Sequence, residues 1–184
     1  MLRTLFLQAP SFEGFDGGAG SRYQARREIR SFWYPTWLAQ PAALIPGSRL
    51  IDAPAHDLTL ADVTAVAQDY DLVVLHTSTP SFASDVKTIE ALKAANPALT
   101  AGFVGAKVAV DPDGRLKAAK ALDFVARNEF DFAIKEVAEE RDLASIAGIS
   151  FRRPDGRIEH NAERPILENM DLLPFVTPVY QRDL

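Results

Sequence analysis

Leu5–Phe6–Leu7–Gln8–Ala9–Pro10–Ser11–Phe12 and Val73–Val74–Leu75–His76–Thr77–Ser78–Thr79–Pro80–Ser81–Phe82 are the two stretches whose reading decides the fold. Each is an apolar run that ends in Pro-Ser-Phe. A short apolar run bounded by proline reads as a strand buried on both faces. In a wound α/β sheet, the loops leaving the carboxyl ends of neighbouring strands form the ligand crevice. Two such loops with one polar, turn-forming vocabulary therefore read as the two lips of a crevice.

Working outward from these strands, the pattern alternates. Residues 2–8, 49–52, 71–76, 100–104 and 123–126 read as five strands. Helices are expected between them. The first runs over 37–44 with Pro41 in its first turn, and the second runs from a Thr59 cap to about Gln68 with Asp62 completing a capping box. The third spans Ser84–Ala95, with Val86, Ile89, Leu92 and Lys93 on one stripe. A short helix over 112–120 and another over 129–141, with Phe132, Ile134, Val137 and Ala138 on one face, complete the set. Gly105–Ala106–Lys107 reads as the loop after strand four.

The alternation implies an α/β fold, a flavodoxin-like (Rossmann-like) doubly wound parallel sheet with strand order 2-1-3-4-5. That order makes strands one and three neighbours at the point where the winding reverses. Beyond it, Arg153–Pro154–Asp155–Gly156 between two short strands is a hairpin signal. From Asn161 the chain is punctuated by Pro165, Pro174 and Pro178 and reads as an extended connector. The expected division is a ligand-binding domain over 1–145 and a hairpin and linker over 146–184.

Composition narrows the function. The 184 residues carry a net charge of −5 and are 47% apolar, enough for one domain with a real core and no field attracting nucleic acid or anionic lipid. With no cysteine, the chain supplies no disulfide, thiolate metal site or thiol nucleophile. Met1–Leu7 lacks the pattern of a signal peptide, and no stretch reaches the length of a membrane span. A cytoplasmic setting is expected.

Individual motifs are weaker. Gly18–Ala19–Gly20–Ser21–Arg22–Tyr23 is a partial dinucleotide fingerprint with Tyr23 where the third glycine belongs, and it stands well after the strand. It reads as a turn, or as a flap over a ligand. Arg22, Arg26, Arg27 and Arg30 alternate with Tyr23, Phe32, Trp33, Tyr34 and Trp37. In an acidic chain this mixture fits docking against another domain, or gripping a large ligand, better than nucleic acid. His76 ends the third strand near the crevice and is either a hydrogen-bonded structural residue or a ligand or proton donor. His56 lies away from the crevice, and His160 reads as solvated. Asp111, Asp113, Glu129 and Asp131 show no metal-ligand spacing, and no Ser-His-Asp arrangement stands out.

Taken in order, Leu5–Phe12, Trp33–Ala39, Leu50–Ala53, Thr77–Ser81, Val86–Lys87 with Asn96–Pro97, Phe103–Lys107 and Asp123–Glu129 resemble the N-terminal cobalamin-binding domain of B12-dependent radical SAM enzymes. Phe12–Tyr23 and Phe175–Tyr180 are similar to the branch associated with hopanoid biosynthesis, which would make a hopanoid the substrate of the complete enzyme. The resemblance implies a corrinoid held by Ala9, Pro10, Ser11, Phe12, Ser78, Thr79, Pro80, Ser81, Gly105, Ala106, Lys107, Arg127, Asn128 and Glu129. Many cobalamin proteins of this fold carry Asp-x-His-x-x-Gly after the first strand. Pro10–Ser11–Phe12–Glu13–Gly14 has no His there, so the cobalt is expected to lack a protein imidazole. The family's radical chemistry also needs a [4Fe–4S] cluster, which cleaves S-adenosylmethionine and is held by cysteines of a barrel domain. This chain has none, so that barrel is expected in cis or in trans, and the chain reads as a truncation, a split subunit or an isolated domain. The alternatives are a non-catalytic flavodoxin-like interaction or regulatory module, and a remnant that folds and binds nothing.

Overall fold

The computed structural model describes residues 1–12 and 34–184. The glycine-rich loop and most of the arginine and aromatic stretch expected to form a flap or a docking segment lie outside the described residues. Five strands, β1 (Thr4–Gln8), β2 (Arg49–Asp52), β3 (Leu72–His76), β4 (Thr100–Val104) and β5 (Phe124–Ala126), pair side by side in parallel, in the order β2-β1-β3-β4-β5. The expected doubly wound order is therefore observed. The hairpin forms β6 (Ile149–Arg152) and β7 (Ile158–His160), and β6 pairs antiparallel with β5, continuing the sheet to seven strands.

Strand periodicity divides the core into two layers. Leu5 and Leu7 of β1, Val73 and Leu75 of β3 and Phe103 of β4 face one way, onto α2 (Leu60–Ala67), α3 (Phe82–Ala95), α4 (Ala106–Val110) and α5 (Pro112–Ala118). Phe6, Leu72, Val74, Val104 and Phe124 face the other way, onto α1 (Thr36–Leu44), α6 (Asp131–Ala138) and α7 (Thr177–Asp183). Burial of such side chains is worth about 1.5–3 kcal/mol each, so the two layers dominate the stability of the sheet. The amino edge is pinned by charge: Arg3 forks onto Asp71 at 2.7 and 3.0 Å, and Lys93 reaches Asp123. Hydrogen bonding to Arg3 lowers the Asp71 carboxyl to about 2.

The structure departs from the sequence expectations in four places. Pro41 lies inside α1 instead of in its first turn, because the helix begins at Thr36 and tolerates a proline on its buried face. Ala106 and Lys107 open the short helix α4 where a loop was expected, since Gly105 at φ +115° turns the chain straight into it. Phe82, not Ser84, begins α3. The connector also does not stay extended. Thr177–Asp183 is helical, Val179 is buried, and Asp183 Oδ2 accepts the Leu50 N–H at 2.9 Å. Tyr180 stacks on Tyr34 with ring centroids 4.6 Å apart. A helix that buries little more than one turn shows no period in sequence.

Gly102 stands opposite Phe124, and a Cβ there would sit 2.1 Å from the Phe124 ring, which is fully buried. Gly102→Ala is therefore expected to lower unfolding free energy by roughly 1–3 kcal/mol, read by urea denaturation. An unchanged midpoint would show that the ring moves aside freely.

Candidate functional site

The carboxyl edge is built by four strand ends. β1 delivers Ala9–Phe12, β3 delivers Thr77–Ser81, β4 delivers Gly105–Lys107 and β5 delivers Arg127–Glu129. Because β1 and β3 pair directly, with Leu7 opposite Leu75, their loops leave the sheet as neighbours. The helices that follow them lie on opposite faces, α1 on one and α3 on the other. A gap is left between the loops. It appears as a cavity of about 400 Å³ lined by Pro10, Ser11 and Phe12 from one lip and Pro80 from the other, with Leu60 of α2 and Lys87 and Thr88 of α3 closing its wall. The first Pro-Ser-Phe lines this cavity in full and the second through Pro80 alone, since Ser81 and Phe82 turn into the start of α3.

The second lip is held by a buried carboxylate. Asp85, 2% exposed on the first turn of α3, accepts hydroxyl hydrogen bonds from Thr77 at 2.6 Å and Ser81 at 2.8 Å. Ser81 Oγ in turn accepts the Ser78 N–H at 3.1 Å and lies 2.8 Å from Ser78 Oγ. The loop is thus tied to its own helix while Thr79 and Pro80 stay exposed at the tip. Burial pushes the Asp85 carboxyl up to about 7, and the bonds from Thr77 and Ser81 only partly offset this. Asp85 escapes sequence reading because it stands beside an apolar stripe. An Asp eight residues after a strand-end Thr is the one cue available.

The third strand end is joined to the second. Thr77 N–H donates to Val104 O at 3.0 Å, and a Cβ on Gly105 would sit 2.5 Å from Thr77 O and 3.1 Å from His76 Nε2. Glycine is needed there both for its positive φ and for this approach. His76 is half-buried, and its ring lies 4.7 Å from that of Trp37. Ala106 is exposed and Lys107 half-buried on α4.

Arg127, Asn128 and Glu129 occupy another part of the same edge and do not line the 400 Å³ cavity. Asn128 adopts φ +51°, and the Arg127 guanidinium donates to Asn161 O. Glu129 lines a second cavity of about 500 Å³ with Asp131, Phe132 and residues 164–169 and 172. Burial first, and then the Glu129 charge, raises Asp131 to about 6. Of the remaining candidates, Asp111 caps α5 by accepting the Gly114 N–H, His56 closes a 3₁₀ turn, and exposed His160 lies 2.9 Å from Ser150 Oγ. Among the described residues, no cluster of three His, Asp or Glu side chains forms a metal site, and no helix is long and apolar enough to cross a membrane.

The fold is shared with other proteins. No protein-family model matches the chain. It is 27% identical over 159 residues to the uncharacterized methyltransferase PH0819 of Pyrococcus horikoshii, a match that takes in 82% of this chain and 34% of the relative. The chain thus spans about a third of that relative's length. Its fold is similar to part of the cobalamin-dependent S-adenosylmethionine radical enzyme OxsB. With aqua-cobalamin bound, that structure superposes at a TM-score of 0.63 and 13% identity, over 90% of this chain and 23% of that one. With aqua-cobalamin and S-adenosylmethionine bound, the values are 0.59, 12%, 89% and 22%. At these identities the likeness is one of fold.

The Asp85 cluster makes a pH prediction. Its folded-state carboxyl, at about 7, lies above the unfolded value of 3.8, so the folded chain binds the extra proton between those limits. The Asp85 contribution to stability is then fully present below about pH 4 and is lost as pH rises towards 7. Asp85→Asn is expected to flatten that decline, leaving the variant relatively more stable at pH 8 than at pH 4, as read from urea midpoints. Parallel curves for both proteins would contradict the assignment.

Proposed function

We propose that the chain is the corrinoid-binding domain of a radical S-adenosylmethionine enzyme, with the cofactor resting on the carboxyl edge of the sheet. The observation that carries this reading is the direct pairing of β1 with β3, which sets two turn-forming loops across an open gap at the switch point. Crevices of that kind are where wound sheets take their ligands. The fold similarity to OxsB, whose structure holds aqua-cobalamin, supports the same ligand here.

The residues present fit a broad, flat group. Thr79, Pro80 and Ala106 are exposed at the rim, so a macrocycle can approach the backbone there. The 400 Å³ cavity has room for an arm of such a molecule, and the macrocycle itself belongs on the open rim. Ala9–Phe12 and Ser78–Ser81 would hold it from two sides, Gly105–Lys107 from beneath and Arg127–Glu129 from the far end of the edge. The loop after β1 contains no His, so it offers the cobalt no imidazole. When bound, a corrinoid supplies cobalt-centred group-transfer or radical chemistry that side chains lack. This chain's part is to bind and orient the group. Asp85, through Ser81, keeps Ser78 in place at the lip, while Pro10 and Pro80 stiffen both lips.

In this reading residues 1–145 form the corrinoid body and 146–184 the joint to a barrel. In the same reading, cysteines outside this sequence would hold the [4Fe–4S] cluster that cleaves S-adenosylmethionine, and the enzyme would work in the cytoplasm. The narrower proposal, action on a hopanoid side chain, rests on the wording of residues 12–23 and 175–180.

Titration with hydroxocobalamin is expected to shift the corrinoid absorption bands and to leave pigment on the protein after desalting. Ala106→Trp, which adds bulk at an exposed rim position, is expected to weaken binding about tenfold or more with an unchanged circular dichroism spectrum. No spectral shift with the unaltered chain would overturn the proposal. A yellow flavin absorbance in the purified protein would favour a flavodoxin-like module instead.

A further inference from the structure

Another cavity lies at the opposite end of the sheet from the crevice. β6 runs antiparallel to β5, so Arg152, whose N–H donates to Asp123 O at 2.8 Å, stands at the amino end of β5. The β6–β7 hairpin faces α5 there across a cavity of about 660 Å³ lined by Asp113, Lys117, Lys120, Arg152, Arg157 and Ile158. In a chain of net charge −5 this is a local reversal of sign. Two of the cations have exposed partners: Lys117 pairs with Asp113 at 2.6 Å and Arg157 with Asp155 at 2.7 Å. Such pairs contribute little and are readily exchanged for a more highly charged partner. Lys120 and Arg152 enter no ion pair among the described residues. Arg152 is half-buried and held in place, because its Nη2 donates to Leu116 O at the end of α5, and its Nη1 makes no hydrogen bond among the described residues. A guanidinium fixed along one edge offers the other to an anion at little cost in side-chain freedom.

The lining also narrows the ligand. Among the described residues it holds no aromatic ring on which a base could stack, and Ile158 is its one apolar side chain. Recognition here is of charge. With Asp113 set against Lys117 and Asp155 against Arg157, the Lys120 and Arg152 charges remain over. A group of two adjacent phosphates matches that surplus, and a lone carboxylate does not. We infer that this cavity binds a diphosphate group, free or as the tail of a nucleotide, at a site separate from the carboxyl-edge crevice. Arg152 supplies the fixed contact and Lys120 the unpaired charge, while Lys117 and Arg157 close on the phosphates from α5 and from the hairpin. The site stands at the amino end of the sheet and does not depend on the corrinoid reading.

Isothermal titration calorimetry of the full chain with inorganic diphosphate, in about 50 mM salt, is expected to show binding about tenfold or more tighter than that of orthophosphate. Lys120→Glu and Arg152→Gln are each expected to weaken diphosphate binding about tenfold. Arg152 also holds the end of α5, so Lys120→Glu, at an exposed position, carries the test if Arg152→Gln folds poorly. Arg49→Glu makes the same change of charge on exposed β2, away from the hairpin, and should leave the affinity unaltered. ADP separates the two sources: affinity equal to that of diphosphate identifies the bare group as the ligand, and tighter binding identifies a nucleotide, provided that Lys120→Glu weakens both. Absence of diphosphate binding, equal affinity for orthophosphate, or the same affinity in Lys120→Glu as in Arg49→Glu would overturn the assignment. Tighter binding of an oligoglutamate peptide than of diphosphate would overturn it in favour of an acidic protein segment.

Discussion

The parallel pairing of β1 with β3 is the constraint on which the rest of this molecule depends. Right-handed crossovers send the chain to one face after β1 and to the other after β3. A wound sheet can reverse in this way only where two adjacent strands part company. At that point no crossover helix covers the carboxyl ends, and the loops that leave them are free to meet a ligand. Every feature of the candidate site is a local adjustment of this gap. Pro10 and Pro80 stiffen its lips, Asp85 anchors one lip to its helix, and Gly105 lets the next strand end come close beneath.

Asp85 shows how stability and function are divided at such a site. A carboxyl buried this deeply costs stability when ionised, and its two hydroxyl donors recover only part of that cost. What the carboxyl provides is geometry: one oxygen fixes Thr77 at the strand end and Ser81 at the loop end, and Ser81 fixes the backbone of Ser78. The tip of the loop, Thr79 and Pro80, is left out of the network and open to the crevice.

Much of this was legible in the residues. Continuous apolar runs such as Leu72–Leu75 mark central parallel strands because both faces are covered, and Thr59 with Asp62 forms the capping box that its spacing implies. The register of the lips followed from strand order alone. What stayed hidden depends on contacts distant in sequence or on single dihedral angles. Helix α4 follows from the positive φ of Gly105, α7 from one turn of burial against α1 and β2, and the Asp85 cluster from a helix turning back on its own strand end. Arg127–Glu129 share an edge with the lips yet stand outside their cavity, and Glu129 lines a separate one, because β5 ends two strands away from the switch point.

Amide hydrogen exchange of the full chain, with and without hydroxocobalamin, tests the central claim most directly. The account predicts added protection in the backbone of Ala9–Phe12 and Thr77–Ser81 together, with none at the amino edge around Tyr70–Asp71 and Leu99–Thr100. Protection confined to the amino edge, or to the outer face of the β6–β7 hairpin, would contradict it.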